Sequence, residues 1–192
     1  MKIAKENTME KSNIENISRI KKISSRLRLA CSAIFYLLPL VIISYWSFYN
    51  ELPEGFKSGL VKQYLKDPLL PVVTRILCIA VDMIPGAIIM LSTRYLSGLF
   101  SLYEKTVFFS EENVAYIRKL GNIVILWSFM DILKQTLLIL AITLNNPPGQ
   151  RFLAIGIGTF QLSLLLIGYI IVLFARVMDE ARVMNDEQQF IV

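Results

Sequence analysis

Five charged side chains of this 192-residue chain fall inside otherwise apolar stretches: Arg75 and Arg94 near the ends of one, and Asp82, Asp131 and Lys134 well inside theirs. A charge in a bilayer core costs roughly 2.5–3.5 kcal/mol, so such groups turn into a bundle and find partners there. Asp82 and Lys134 each stand two residues outward of the centre of their run, which predicts one depth on neighbouring antiparallel helices. Asp131 and Lys134 are i, i+3 on one helical face, and Ser128 and Gln135 share that stripe. Gln135 and Gln161 lie three residues outward of their own centres. The expectation is a single polar layer of Asp82, Asp131, Lys134, Gln135 and Gln161, with Lys134 serving two carboxylates and one of these protonated. Such a layer is the chemistry of a proton or ion path, or of a small-ligand pocket. A structural ion pair fixing helix register is the competing reading, and a set of only two Asp and one Lys favours it.

The composition excludes much else. There is no histidine, so no Ser-His-Asp or Cys-His triad, no His-ligated zinc and no imidazole switch. Cys31 and Cys78 sit far apart in apolar runs and form neither a CxxC pair nor a disulfide framework. No P-loop and no GxGxxG occurs. Paired membrane aspartates bring intramembrane aspartic peptidases to mind. The contexts AVDMIP around Asp82 and SFMDIL around Asp131 lack such motifs, and Lys134 would spoil a proton-sharing dyad. The chain reads as a non-enzyme with no cofactor and no metal.

The elements that must carry these residues are plain. Hydrophobic residues make up 55% of the chain and charged ones 18%, against about 45–50% and 25% in soluble domains. The apolar residues concentrate in four runs, 29–49, 72–96, 120–144 and 152–175. At about 1.5 Å per residue, each is long enough for a hydrocarbon core of roughly 30 Å. The fold class is an all-α integral membrane protein with four transmembrane helices and cytoplasmic helical extensions. A basic amphipathic segment, 1–28, precedes the membrane domain, 29–192, whose tail is 176–192. The first run follows too long a charged stretch to be a cleaved signal, and no A-x-A-like site follows it. Pro39 and Pro85-Gly86 predict kinks, and Arg75 is placed to snorkel outward.

Sidedness follows from Lys and Arg near the span ends. Fourteen lie in 1–28, in the loop after the second span and in the tail; four lie on the other side, Lys57, Lys62, Lys66 and Arg151. Both termini are therefore expected in the cytoplasm of a bacterial inner membrane, against a lipid bilayer with an anionic inner leaflet, with no direct nucleic acid. Arg19, Lys21, Lys22, Arg26 and Arg28 surround an apolar face of Ile14, Ile17, Ile20, Ile23 and Leu27, which predicts a helix lying on the inner leaflet; a solvated basic tail is weighed equally. A short external helix is expected around Phe56–Leu65, and a tight turn at 145–149 joining the last two spans as a hairpin. Ser110 is placed to N-cap a helix over Glu111–Leu144. The last span is expected to continue as a helix through 176–189.

The stretch Phe109-Ser110-Glu111-Glu112-Asn113-Val114-Ala115-Tyr116-Ile117-Arg118-Lys119-Leu120-Gly121 resembles the signature F-x-x-x-N-V-x-x-[IL]-R-x-[IL]-G of the bacterial family Domain of Unknown Function 2975. The tail from Asp179 is similar to that family's acidic, helix-then-stop ending, and departs from it at Phe190, where a small hydroxyl residue would be expected. The resemblance implies a four-span membrane protein with no assigned reaction. It also implies a cytoplasmic partner such as a small helix-turn-helix regulator, because members often stand beside one. The motif residues Phe109, Asn113, Arg118 and Gly121 have a physical reading too: Asn113 bonds a neighbouring helix end, and Arg118 holds Asp179 or Glu180 of the last helix. The sequence thus points to a membrane regulator or interaction protein, with a small transporter, ion-conducting or immunity-type protein as the alternative. Self-association into a homo-oligomer is left open.

Overall fold

The computed structural model describes residues 2–65, 69–108, 110–147, 149–151, 153–156 and 158–189, with side chains described from Glu15 to Met184. Every regular element among these residues is helical: α1 (Lys2–Ser47), α2 (Gly59–Tyr64), α3 (Val72–Glu104), α4 (Glu111–Thr143) and α5 (Thr159–Gln189). Short 3-10 turns at Tyr49–Glu51 and Glu54–Phe56 lead into α2. Four helices, α1, α3, α4 and α5, are long and apolar enough to cross a membrane. Packing follows chain order, α1 on α3, α3 on α4 and α4 on α5. One end of the assembly carries the 48–71 and 144–158 connections and is called the loop end. The other carries Arg28, Arg118, Arg176 and Arg182 and is called the basic end.

The helix bounds refine the expected elements. Helix α1 is continuous from Lys2 through Ser47, so the basic segment and the first apolar run form one helix. The fourth helix does not begin at residue 152 but at Thr159. The described residues of 150–158 are non-helical, because Pro148, Gly149, Gly156 and Gly158 all disfavour helix. Helix α1 contains Pro39 and α3 contains Pro85, the two positions at which kinks are expected.

Other expectations hold. The α4 helix starts where Ser110 caps it, its hydroxyl accepting from the Asn113 N–H at 3.2 Å. It ends one residue before the expected boundary. The first loop does contain a short helix, α2.

The loop end has a core of its own. Trp46, Tyr49, Val61, Leu70, Cys78, Leu138, Ala141 and Ile142 are buried in one cluster. Lipid gives helices little hydrophobic reason to bury such groups; water does. Asparagines sew the connections over this cluster. The Asn50 side chain donates to the Leu70 carbonyl (3.1 Å) and accepts from its N–H (3.0 Å). Asn146 donates to the carbonyls of Tyr64 (2.9 Å) and Gln150 (3.2 Å), and Asn145 donates to the Thr74 hydroxyl. Outside the spans, Lys57 and Lys62 flank Glu54 and hold its carboxyl below the usual carboxylate range.

Candidate functional site

All five residues expected in the polar layer come to one level, but as two networks rather than one. On the α3 side, the Lys134 ammonium stands 3.1 Å from Asp82 Oδ1. The Trp46 indole N–H donates to Asp82 Oδ2 at 2.6 Å. Lys134 approaches Oδ1 off the direction of a hydrogen bond, so this buried oxygen has a charge partner but no donor. On the α5 side, Asp131 Oδ2 accepts from Gln161 Nε2 (2.6 Å) and Gln135 Nε2 (3.0 Å). The Ser128 hydroxyl donates to the Gln161 carbonyl at 2.8 Å. The expectation that Lys134 serves both carboxylates is corrected: it pairs with Asp82, while two amides hold Asp131.

This level lies close to two helix ends. Trp46 is the residue before the last of α1, and Gln161 is the third of α5. Gln161 also bonds backward, its Oε1 accepting from the Gly158 N–H at 2.9 Å. This is one half of a capping box, and it explains where α5 starts. The apolar part of α1, Leu29–Ser47, is roughly 28 Å long at about 1.5 Å per residue, close to the thickness of a hydrocarbon core. A slab fitted to it ends at Trp46, a residue type favoured at membrane interfaces. The two networks then lie at the edge of the slab. Helices α3 and α4 continue past this level by roughly 14–15 Å, into the loop-end cap. Arg75 lies in that extension, donating to the Ser47 carbonyl at 2.6 Å.

The motif at 109–121 divides differently. Phe109 lies outside the described residues. Asn113 is fully buried, and its amide donates to the carbonyls of Val107 (3.1 Å) and Phe108 (2.8 Å). It therefore folds back on the segment preceding its own helix and not on a neighbouring helix end. Arg118 pairs with Asp179 of α5 at 3.0 Å, as expected, and Arg182 reaches the other oxygen of the same carboxylate at 3.4 Å. Gly121 meets Gly168 of α5: a methyl at Gly121 would stand 2.7 Å from Val172 Cγ2 and 3.1 Å from the Gly168 carbonyl. The small-residue contact is thus between helices α4 and α5. Nothing local in the sequence pairs Gly121 with Gly168; only the antiparallel register does.

Of the basic residues, Arg19 pairs with Glu15 one turn away (2.7 Å) and Arg28 with Glu104 of α3 (2.9 Å). Lys21, Lys22 and Arg26 are exposed. Among the described residues, no group of His, Cys, Asp and Glu could hold a metal ion.

Four long apolar helices joined in chain order have the form of a multi-pass membrane protein. Residues 33–192 match the model of the family described as a protein of unknown function, DUF2975, and the chain belongs to that family. No curated protein and no solved structure matches it.

Proposed function

We propose that this is a non-enzymatic protein of the bacterial inner membrane, with both termini in the cytoplasm, whose basic end docks a soluble protein partner. The partner class that the family resemblance implies is a small helix-turn-helix regulator. One contrast supports the reading. At the polar level, carboxylates, amides, indole and ammonium are engaged with one another. At the basic end, α1 and α5 instead expose apolar side chains, among them Ile17, Ile23, Leu27, Val177 and Met184. Such groups on a projecting helix are ready for a partner's groove, and the exposed Lys21, Lys22 and Arg26 beside them favour an acidic rim on it.

The test is photo-crosslinking from single positions in living cells. A crosslinker replacing Ile17, Ile23 or Met184 should capture one soluble regulator repeatedly, and one replacing Leu40 or Leu166 should not. Adducts to lipid alone from all five positions would refute docking. The second reading, ion or proton movement, is favoured by Asp82 Oδ1, which accepts no hydrogen bond. Flux in reconstituted vesicles that is lost in Asp82→Asn would select it.

A further inference from the structure

Two clefts near the basic end share Ser32: the first lies between α1 and α3, and the second is lined by α1 alone. One, of about 300 Å³, is lined by Cys31, Ser32, Phe35, Tyr36, Thr93, Arg94 and Ser97. The other, of about 280 Å³, is lined by Ser25, Arg26, Arg28, Leu29 and Ser32. The combined groove is graded along its length. Its outer part carries the guanidinium groups of Arg26 and Arg28 and the Ser25 hydroxyl. Its inner part has Arg94 with the Ser32, Thr93 and Ser97 hydroxyls on one side and two aromatic rings, Phe35 and Tyr36, on the other. Leu29 and Tyr36 are 74% and 71% exposed, so the groove opens sideways, toward where lipid would lie.

Arg94 is the unusual member. Sequence counting placed it in a loop, but it sits in the body of α3, ten residues before the helix ends at Glu104. It lines the cleft with Ser32 and Phe35, which lie roughly 5–9 Å inside the Leu29 edge of the slab. Among the described residues, no carboxylate pairs with Arg94 or Arg26; the ion pair in this region is Arg28 with Glu104. A guanidinium at this depth without a protein carboxylate calls for an anion that itself lives at the membrane boundary.

We infer that this groove binds one anionic phospholipid. Its phosphate takes the guanidinium of Arg94, with Arg26 and Arg28 at the headgroup side. The hydroxyls of Ser32 and Ser97 supply neutral donors, and an acyl chain lies along Phe35 and Tyr36. Basic pockets between spans are suited to anionic headgroups, and guanidinium meets phosphate in a two-pronged geometry that ammonium cannot copy. The inference stands on the membrane reading and is independent of partner docking.

The test uses the full-length protein in detergent, titrated with phosphatidylglycerol or phosphatidylcholine of the same chains and read by native mass spectrometry. The wild type should retain phosphatidylglycerol at least about tenfold more strongly, and Arg94→Gln should remove most of that preference. Arg94→Lys should restore part of it, and Arg151→Gln at the loop end should leave it unchanged. Equal retention of the two lipids by the wild type would overturn the proposal without any variant. So would displacement of the lipid by millimolar inorganic phosphate, which would make this a site for the free anion. Should Arg94→Gln fail to fold, Ser97→Val serves in its place, and a full phosphatidylglycerol preference in Ser97→Val together with Tyr36→Ala would equally overturn it.

Discussion

Replacing Gln161 by Leu removes the one side chain that both starts α5 and ties it to α4. Gln161 is 4% exposed and makes two side-chain hydrogen bonds, to Asp131 at 2.6 Å and from the Gly158 N–H at 2.9 Å. A hydrogen bond to a charged group contributes about 1.5–3 kcal/mol in soluble proteins, and a neutral one about 0.5–1.5 kcal/mol. Between membrane helices the measured average is smaller, about 0.6 kcal/mol. The network lies at the slab edge, between these two environments, so the expected loss is about 2 kcal/mol. Leucine nearly fills the same volume, so little of the loss is cavity. Asp131 keeps Gln135, and the Ser128 bond survives because it goes to the backbone. The assay is reversible unfolding of the purified protein in mixed micelles, run as a double-mutant cycle with Asp131→Ala. The expected coupling is about 1–2 kcal/mol, since the Gly158 cap drops out of the cycle. A coupling below about 0.3 kcal/mol, within the scatter of independent sites, would refute the claim that this contact holds α5 to α4.

Other predictions follow from the same packing. Gly168→Ala puts a methyl 2.5 Å from Ile125 Cγ1 and 3.0 Å from the Ile125 backbone nitrogen; overpacking of this kind costs about 1–3 kcal/mol, read as a lower unfolding midpoint in the same micelles. Arg118→Ala should cost less than about 1 kcal/mol, because the pair is partly exposed and screened and Arg182 still holds Asp179; a larger loss in the micelle assay would show a role beyond the pair. Trp46→Phe removes the one donor to Asp82 Oδ2, and should lower stability more than the same change at Trp127, compared in the same assay. Because the carboxyl of Glu54 is held low, the stability it contributes is present above its ordinary value and is lost as pH falls through its folded one; Glu54→Gln should flatten that acid limb in a pH series of thermal melts.

The four helices and the basic end were legible because hydrophobic runs and Lys/Arg counts report directly on length and charge. Helix α4 was legible almost to the residue, because Ser110 and the glutamates after it carry the local chemistry of a helix start. The start of α5 was not: Phe152–Leu153 and Ile155 look like span, and the bond from the Gly158 N–H to the Gln161 side chain reveals that the helix waits until Thr159. Asp82 and Lys134 were matched by counting from span centres, and the match survives because both are offset equally. Counting does not show that α3 and α4 overshoot α1 and α5 beyond this level. Asp131 was assigned to Lys134 by spacing on one helix, whereas the competing donor, Gln161, comes from another helix thirty residues on. Arg118 with Asp179 was legible because its alternatives were few: one guanidinium near the boundary and an acidic pair on the helix that must return there.

Function at the basic end, with the polar networks serving the fold, is what we propose. It is tested most directly by complementation of a deletion strain, read by the transcripts that change when the gene is lost. Asp82→Asn with Lys134→Met, inserted at normal levels, should restore the wild-type pattern. A variant with Ile17, Ile23 and Met184 all changed to Asp should insert equally well and fail to restore it. Restoration by the triple variant, with failure of the Asp82/Lys134 pair, would contradict the account and place the function at the charges.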